Sequence, residues 1–237
     1  MPGGFMAGAE LRYKNDGTLI VPYIRKFELL ENEGTPQEAF PLWLQPGSAQ
    51  QFPRFIHNSN RRCLLIYTDG ACLNNGQSNP AAGWGFVFRL PKPNFPQIGR
   101  ISSRLEDRGP SGESYPQTNN RAELRAVIAA LQFRAWFGEG FTKLVIATDS
   151  EYVTKGATEW VRNWGKNGWI TSNGKPVQNR DLWEKLLSVV IVYEDNGMEI
   201  CFWHIVRALN KEADSAAKEG ARQERVGDFS TLSGVLM

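Results

Sequence analysis

A chain of 237 residues, 41% of them hydrophobic, can build one large domain or two small ones around an ordinary globular core. Its formal net charge of +2 says little about partners, so the distribution of charge matters more than the total. The three cysteines have no CxxC spacing, which favours free thiols in a reducing compartment. No apolar run reaches membrane-spanning length and the first residues lack a secretory signal, so we expect an intracellular protein, cytoplasmic or nuclear, with no membrane contact.

The first part of the chain has a weak pattern. Residues 19–24 predict a short edge strand interrupted by a proline. Residues 40–55 alternate proline with large apolar side chains, which makes them too apolar for a free linker. We therefore expect residues 1–60 to be an extension that packs on a main domain of residues 61–222, followed by a loose tail at residues 223–237.

Periodic patterns become clear in the main domain. Apolar runs predict five strands, at residues 63–68, 82–88, 100–105, 143–148 and 200–206. Helical periodicity and capping residues predict helices at residues 118–137, 181–192 and 211–220, the last capped by Asn210. Short links should make the first three strands antiparallel, and helical connections should make the fourth and fifth parallel to the first. The pattern predicts an α/β fold.

Four acids occupy comparable positions, at the end of a predicted strand or the beginning of a predicted helix. They are Asp69, Glu123, Asp149 and Asp214. Taken singly, each has a simpler role as a turn former, a capping residue or a connector. Gathered at one edge of a sheet, however, four carboxylates would repel one another unless a cation neutralises them. Such oxygen ligands suit Mg²⁺ or Mn²⁺ rather than Zn²⁺, and two such ions could hold the attacking water and the leaving oxygen of a phosphodiester.

The motifs around these acids resemble those of type 1 ribonuclease H, in the family's order and at its spacing. They are Tyr67-Thr68-Asp69-Gly70-Ala71, Thr118-Asn119-Asn120-Arg121-Ala122-Glu123, Ala147-Thr148-Asp149-Ser150 and Asn210-Lys211-Glu212-Ala213-Asp214. The resemblance covers residues 61–222. It implies a ribonuclease H-like mixed five-stranded sheet, with three antiparallel and two parallel strands, flanked by helices. It also implies an endoribonuclease that hydrolyses the RNA strand of RNA–DNA hybrids with two Mg²⁺ ions, leaving 5′-phosphate and 3′-hydroxyl ends. The four acids would be the metal ligands, and we expect a monomer.

The chain departs from the family where a loop histidine is expected before the last acid. His204 precedes Asp214 by ten residues (214 − 204), the family's count, yet it lies in an apolar strand pattern without an adjacent glycine. Two alternatives stay open. His204 is the acid–base or product-release group, or it is a strand residue and Arg207 lies beside the metal-bound phosphate. We favour the second, because strand alternation turns His204 away from the apolar face.

A basic, tryptophan-rich insert lies between Lys155 and Lys185, with six Lys or Arg residues against three Asp or Glu residues. Trp160 and Trp164 share a helix face. They either form the core of a small helical hairpin or present, with Lys166, aromatic and cationic surface to a sugar-phosphate backbone. The stretch resembles the basic protrusion of cellular and bacterial type 1 enzymes, which implies that both tryptophans border the groove for the DNA strand.

Polar side chains near the acids are candidates for substrate contacts. The amides of Asn75, Asn119 and Asn120 can donate to and accept from a 2′-hydroxyl, the group that distinguishes RNA from DNA. Simpler roles are a turn for Asn75 and a helix cap for Asn120. The family resemblance implies that Thr118 and Asn179 bind a DNA phosphate.

Two other functions compete with this interpretation. One is a non-catalytic nucleic-acid-binding module that kept the fold, and the presence of all four acids argues against it. The other is a nuclease of the same fold with a different nucleic-acid substrate. The basic insert and the asparagines beside the acids argue against that alternative.

Overall fold

The computed structural model describes residues 6–29, 34–44, 53–91, 93 and 99–234. The strands in these residues are β1 Arg12–Tyr13, β2 Leu19–Ile20, β3 Ile24–Lys26, β4 Leu42–Leu44, β5 Pro53–Ile56, β6 Cys63–Leu73, β7 Ala81–Arg89, β8 Gly99–Arg104, β9 Lys143–Thr148 and β10 Glu199–His204. The α-helices are α1 Pro36–Ala39, α2 Asn119–Phe133, α3 Glu151–Lys155, α4 Val161–Lys166, α5 Arg180–Asp195 and α6 Lys211–Ala221. A single π-helical stretch, Gly156–Trp160, joins α3 to α4.

The centre of the fold is a mixed sheet in the order β8–β7–β6–β9–β10. The strands β6, β7 and β8 are antiparallel, and β9 and β10 run parallel to β6. This is the predicted arrangement of three antiparallel and two parallel strands, and the fold prediction is confirmed. The parallel pairing matters for function because it carries the ends of β6 and β9 to the same edge of the sheet.

Helices cover both faces of this sheet. A side chain at Gly70 of β6 would place its Cβ 2.1 Å from the backbone nitrogen of Glu123, so only glycine lets α2 lie this close. On the opposite face, a Cβ at Gly83 of β7 would lie 2.0 Å from the nitrogen of Ala221 in α6. The two glycines therefore fix the distance of both helices from the strands that they cover.

The N-terminal extension contributes three strands to the same sheet. Ile24 of β3 pairs in parallel with Ile200 at the outer edge of β10, and β5 pairs with the beginning of β6. Phe40 and Phe55 pack in a second hydrophobic core, on the face of the sheet that carries Tyr67. The described part of the chain thus forms an eight-stranded sheet rather than a five-stranded one. Residues 45–52 of the proline-rich segment lie outside the described residues.

Residues 6–29 also contact the helices of the other face. The backbone nitrogen of Ala9 donates to the carbonyl of Ser188 in α5 at 2.8 Å. The Arg162 guanidinium of α4 donates to the carbonyl of Ile24 at 2.9 Å and lies over the ring of Tyr23. The predicted single strand at residues 19–24 is wrong, because β2 pairs with β1 whereas β3 joins the main sheet.

The C-terminal tail is packed rather than loose over residues 223–234. The carbonyl of Val226 accepts from the nitrogen of Asp107 at 2.9 Å, and the nitrogen of Gly234 donates to the carbonyl of Phe133 at 2.7 Å. Arg125 donates to the carbonyl of Ser230 at 3.0 Å. The prediction of a loose tail is wrong here, since these two backbone bonds and the Arg125 side-chain bond hold the segment to α2 and to the loop before it.

One helix and one strand end earlier in the structure than the sequence predicts. The helix predicted to reach residue 137 ends at Phe133, and a separate turn of 3₁₀-helix follows at Trp136–Glu139. The last strand ends at His204, two residues earlier than predicted. Among the described residues, no helix combines the length and the apolar character needed to cross a membrane.

Candidate active site

Two of the four acids lie on or directly after neighbouring parallel strands, and the other two lie near the beginnings of two helices. Asp69 is inside β6, because the strand continues to Leu73 while it pairs with β7. Asp149 directly follows β9, and β9 runs beside β6. Glu123 and Asp214 belong to the beginnings of α2 and α6. The prediction that the first strand ends just before Asp69 is wrong, but the acid still lies at the edge where the other three meet.

The carboxylates perturb one another's ionisation. Burial raises the pKa of Asp69 to about 8, and the negative charges of Asp149 and Asp214 add to the effect. Burial likewise raises the pKa of Glu123 well above its usual value, with contributions from Asp69 and Asp149. Asp69 is only 3% exposed and Glu123 only 6%. Because such effects are strongest between close groups in a low-dielectric interior, the acids form one electrostatic unit.

Asp214 differs from its neighbours because it has two cationic partners. Arg207 donates to its Oδ1 at 2.7 Å, and Lys218 donates to its Oδ2 at 2.6 Å. Burial opposes ionisation of Asp214, but the bonds from Lys218 and Arg207 outweigh burial and lower its pKa. The Arg207 side chain is 72% exposed, so its guanidinium also faces solvent at the border of the acids.

Asn210 has a role in the site that the sequence pattern did not show. It is the N-cap residue of α6, as predicted, but its side chain makes no capping bond there. Instead Nδ2 donates to Asp149 Oδ1 at 2.7 Å and to the carbonyl of Thr68 at 3.0 Å. The amide thus connects Asp149 to the residue preceding Asp69. Asn210 is only 1% exposed, and such burial of a polar side chain beside an acid would have indicated its role. Burial, however, cannot be read from a single sequence.

The start of α2 positions three predicted substrate residues. Thr118, not Asn120, caps the helix, since its hydroxyl accepts from the nitrogen of Arg121. Asn119 donates to Glu123 Oε1 at 3.2 Å, which orients that carboxylate. Asn120 is exposed, and it does not have the predicted capping role. Asn75 is also exposed, in the turn between β6 and β7.

Asn179 lies at the start of α5 in a left-handed conformation, with φ at 57°. Its Oδ1 accepts from Arg121 at 3.4 Å, and its Nδ2 donates to the hydroxyl of Tyr152 at 3.2 Å. Arg121 in turn forms a buried ion pair with Asp181 at 2.5 Å. Since Arg121 follows Thr118 by three residues on α2, this network links the two residues that the family resemblance assigns to a DNA phosphate.

The basic insert folds as a protrusion around an aromatic cluster. The Trp164 ring centroid lies 5.8 Å from that of Trp160 and 5.5 Å from that of Trp183. Trp164 is 9% exposed, so it supports the protrusion and offers little surface to a ligand. Trp160 is half-buried and Lys166 is exposed at the end of α4. These two residues are therefore better placed than Trp164 for contact with a nucleic-acid backbone.

Both alternatives for the missing loop histidine lie beside the acids. His204 is the exposed last residue of β10, with Nε2 at 3.2 Å from the carbonyl oxygen of Asp149. Arg207 is in the short 3₁₀ turn that follows the strand, and it contacts Asp214. The strand therefore ends before the 3₁₀ turn and the helix that carries the last acid, and the choice between the two residues stays a prediction.

The donor chemistry of the acids fits a hard divalent cation. All four supply carboxylate oxygens, and Glu123 Oε2 is buried without a hydrogen-bond partner among the described residues. A cation would also offset the burial and the repulsion from neighbouring acids that together raise the pKa of Asp69. In the described part of the chain, no three His, Cys, Asp or Glu side chains converge closely enough to enclose one ion as they stand.

Comparisons with known proteins cover the same region. The model of the family described as RNase H matches residues 61–222. A ribonuclease H of Afipia carboxidovorans is 37% identical over 167 residues, covering 68% of this chain and 95% of that protein. Ribonuclease H1 of Mus musculus is 37% identical over 165 residues, covering 68% of this chain and 50% of the mouse protein. A solved structure of LC9-RNase H1, a type 1 RNase H, is 30% identical over 67% of this chain and 72% of that one, with a TM-score of 0.47.

The matched segment contains all four acidic motifs and the two helices that carry Glu123 and Asp214, whereas the N-terminal extension precedes it. The family match covers residues 61–222, the same residues over which the sequence motifs resemble type 1 ribonuclease H. The predicted family is therefore confirmed. The chain belongs to the ribonuclease H family of hydrolases, among its type 1 members.

Proposed function

We propose that the protein is an endoribonuclease that hydrolyses the RNA strand of RNA–DNA hybrids and leaves 5′-phosphate and 3′-hydroxyl ends. The observation that carries the proposal is the electrostatic unit of Asp69, Glu123, Asp149 and Asp214. Asp69 and Glu123 are buried beside other acids and their pKa values are raised, which adds no stability to the fold, so such a group is retained for chemistry. Membership of the ribonuclease H family, and relatives named ribonuclease H, support the same reaction.

The four acids would hold two divalent ions, Mg²⁺ or Mn²⁺, which when bound supply Lewis-acid activation of the attacking water and of the leaving oxygen. The remaining residues serve this centre. Asn119 orients Glu123, and Asn210 holds Asp149 beside the strand that carries Asp69. Because each amide contacts a different carboxylate, the chain fixes the acids before the substrate binds.

The segment after β10 places a positive charge, that of Arg207, beside the acids. Arg207 is a permanent cation that can contact the scissile phosphate while it remains close to Asp214. A phosphate bound there would compete with Asp214 for the guanidinium and so release that carboxylate from one cationic partner. His204, which contacts the Asp149 carbonyl, is the alternative group for moving a proton or for releasing product.

Substrate selection would come from two surfaces on either side of the acids. The exposed amides of Asn75 and Asn120, with Asn119, can read the 2′-hydroxyls of the RNA strand. On the other side, the DNA strand would contact residues of α2, the protrusion and α5. They are Thr118, Trp160, Lys166 and Asn179, with the buried Trp164 supporting the protrusion behind them. Action as a monomer and an intracellular location, cytoplasmic or nuclear, stay predictions from the sequence.

The test is cleavage of four substrates of matched sequence: RNA–DNA, RNA–RNA and DNA–DNA duplexes, and single-stranded RNA. With Mg²⁺ we expect internal cleavage of the RNA strand in the hybrid alone, and with EDTA we expect no cleavage. Product ends are read by their sensitivity to phosphatase and ligase. Binding of the hybrid without cleavage under all metal conditions would instead indicate a binding module, and cleavage of DNA–DNA would indicate a nuclease with another substrate.

A further inference from the structure

The N-terminal segment, residues 6–29, contacts the helix α4 in the middle of the protrusion. The Arg162 guanidinium donates to the carbonyl of Ile24 at 2.9 Å and lies 5.5 Å from the ring centroid of Tyr23. Ile24 belongs to β3, the outermost strand on this side of the described sheet. Because an edge strand exposes unpaired backbone groups, Arg162 provides the Ile24 carbonyl with a partner.

The same segment packs against the end of α4. A Cβ at Gly165 would lie 3.1 Å from Cγ2 of Val21 and 3.2 Å from Cβ of Leu19, so the backbone of α4 lies directly on these side chains. Leu19 is buried and belongs to the same hydrophobic core as Trp164. The segment therefore contacts α4 at two points, one polar and one apolar.

The segment is itself attached to regular elements of the main domain. Ile24 pairs with Ile200 of β10. The nitrogen of Ala9 donates to the carbonyl of Ser188 in α5 at 2.8 Å. A contact between α4 and this segment thus connects the protrusion to the sheet and to α5.

The helix α4 needs such contacts because it is short and irregularly connected. It has six residues, and the π-helical stretch Gly156–Trp160 precedes it. An isolated helix of this length is unstable in water, so tertiary contacts must set its orientation. Trp160 directly precedes α4, and Lys166 is its last residue. Arg162 and Gly165, which contact the segment, therefore lie between the two residues best placed to meet the DNA strand.

We propose that residues 6–29 hold the protrusion in the orientation that binds the DNA strand, and that Arg162 is the positioning residue through which they act. The inference rests on the proposed function, because it concerns the contact between the protrusion and the hybrid. The segment lies outside the family match, which begins at residue 61. Neither this segment nor α4 carries any of the four acids. Loss of the contact should therefore raise KM for the hybrid and leave kcat unchanged.

The first measurement is hybrid binding by the full chain with Arg162→Ala, in the Asp69→Asn background with Mg²⁺ so that the substrate stays intact. The dissociation constant should rise roughly 3- to 10-fold, the equivalent of one hydrogen bond. Arg162→Lys keeps a donor and should restore most of the affinity. Arg62→Ala is the matched control and should leave affinity unchanged. Arg62 is also exposed and donates to a carbonyl, that of Gly140 at 3.3 Å, but it directly precedes β6 and lies outside the protrusion.

A comparison of combined variants separates positioning from direct contact with a phosphate. If Arg162 acts through the protrusion, Arg162→Ala should change affinity less than about 2-fold in a chain that already carries Trp160→Ala and Lys166→Ala. An undiminished effect in that chain would make Arg162 itself a phosphate contact and would overturn the positioning role.

Amide hydrogen exchange of α4 tests the same contact without nucleic acid. Exchange should be faster in Arg162→Ala than in the parent, and unchanged in Arg62→Ala. If the parent binds the hybrid, equal affinities of Arg162→Ala and Arg62→Ala would overturn this inference alone. A parent chain that binds no hybrid would overturn the proposed function, and this inference with it.

Discussion

The edge of the sheet that carries the four acids and the N-terminal extension bury opposite kinds of residue. At the edge, Asp69 and Glu123 are almost fully buried and their pKa values are raised, so their charged forms oppose folding. In the extension, Ile24, Phe40 and Phe55 are buried apolar side chains that complete the sheet and its second core. Stability and chemistry thus reside in different regions. Substitutions in the extension should cost stability and spare turnover, whereas substitutions of the acids should do the reverse.

The largest effect on stability should come from Ile24→Ala. Ile24 is 1% exposed in β3, so the change should lower the free energy of unfolding by about 2–4 kcal/mol, as for other large-to-small core substitutions. Urea denaturation measures the loss, and turnover per folded molecule should be unchanged. Ile20→Ala is the matched control, because Ile20 is 43% exposed on β2 and should cost less than about 1 kcal/mol. Equal effects of the two variants would show that the extension is an appendage.

Substitution of a buried acid should have the opposite effect, a gain in stability. Because the folded-state pKa of Asp69 is raised to about 8 from 3.8, the folded chain binds this proton more tightly than the unfolded chain. Stability from this group is therefore fully present below pH 3.8 and is lost as the pH rises towards about 8. Asn at this position carries no charge, so Asp69→Asn should be more stable than the parent in EDTA by roughly 1–3 kcal/mol at pH 8.

Urea denaturation of both chains in EDTA at several pH values tests this linkage. The stability difference between Asp69→Asn and the parent should widen as the pH rises and level off above about 8. A difference that stays constant with pH would show that Asp69 ionises freely in the folded chain.

The next effect separates the two candidates beside Asp214. Arg207→Ala removes one charge-assisted contact and should lower turnover about 10-fold. His204→Ala should cost only about 2- to 3-fold, since its ring is exposed and has one hydrogen-bond contact, with the Asp149 carbonyl. Kinetics normalised by active-site titration compare the variants. A loss near 10²-fold for His204→Ala, exceeding that for Arg207→Ala, would make His204 the general acid–base group.

The smallest expected effect is on the salt dependence of hybrid binding, and it compares two exposed lysines on different surfaces. Lys166 lies on the protrusion and Lys14 on the extension. If the protrusion contacts a phosphate, Lys166→Ala should reduce the slope of log affinity against log salt by about 0.9, because one fewer counterion is released. Lys14→Ala should leave the slope unchanged. Identical slopes for both variants and the parent would restrict the role of the protrusion to structure.

The catalytic region could be predicted from the sequence because its signals are local. Each acid belongs to a motif of four to six consecutive residues, and Asp69 and Asp149 follow apolar runs that predict neighbouring strands. The side-chain partners were harder to predict. Thr118 and Asn120 are both good capping residues two positions apart, and only the backbone geometry at Thr118 decides between them.

The extension and the tail could not be placed from the sequence because their partners are remote. Ile24 pairs with Ile200, and Gly234 bonds to Phe133, across long stretches of chain. A strand of two or three residues carries too short a pattern to reveal its partner. Asn210 illustrates the same limit inside the site, because its bond to Asp149 joins residues that only the folded sheet brings together.

The measurement that tests the central claim most directly is hybrid turnover and hybrid binding of Asp69→Asn in Mg²⁺. The substitution removes a proposed metal ligand and no surface cation. It should lower turnover by about 10³-fold or more, corresponding to several kcal/mol of lost transition-state stabilisation, while the dissociation constant for the hybrid stays close to that of the parent. Near-normal turnover by Asp69→Asn would contradict a catalytic centre built on the four acids.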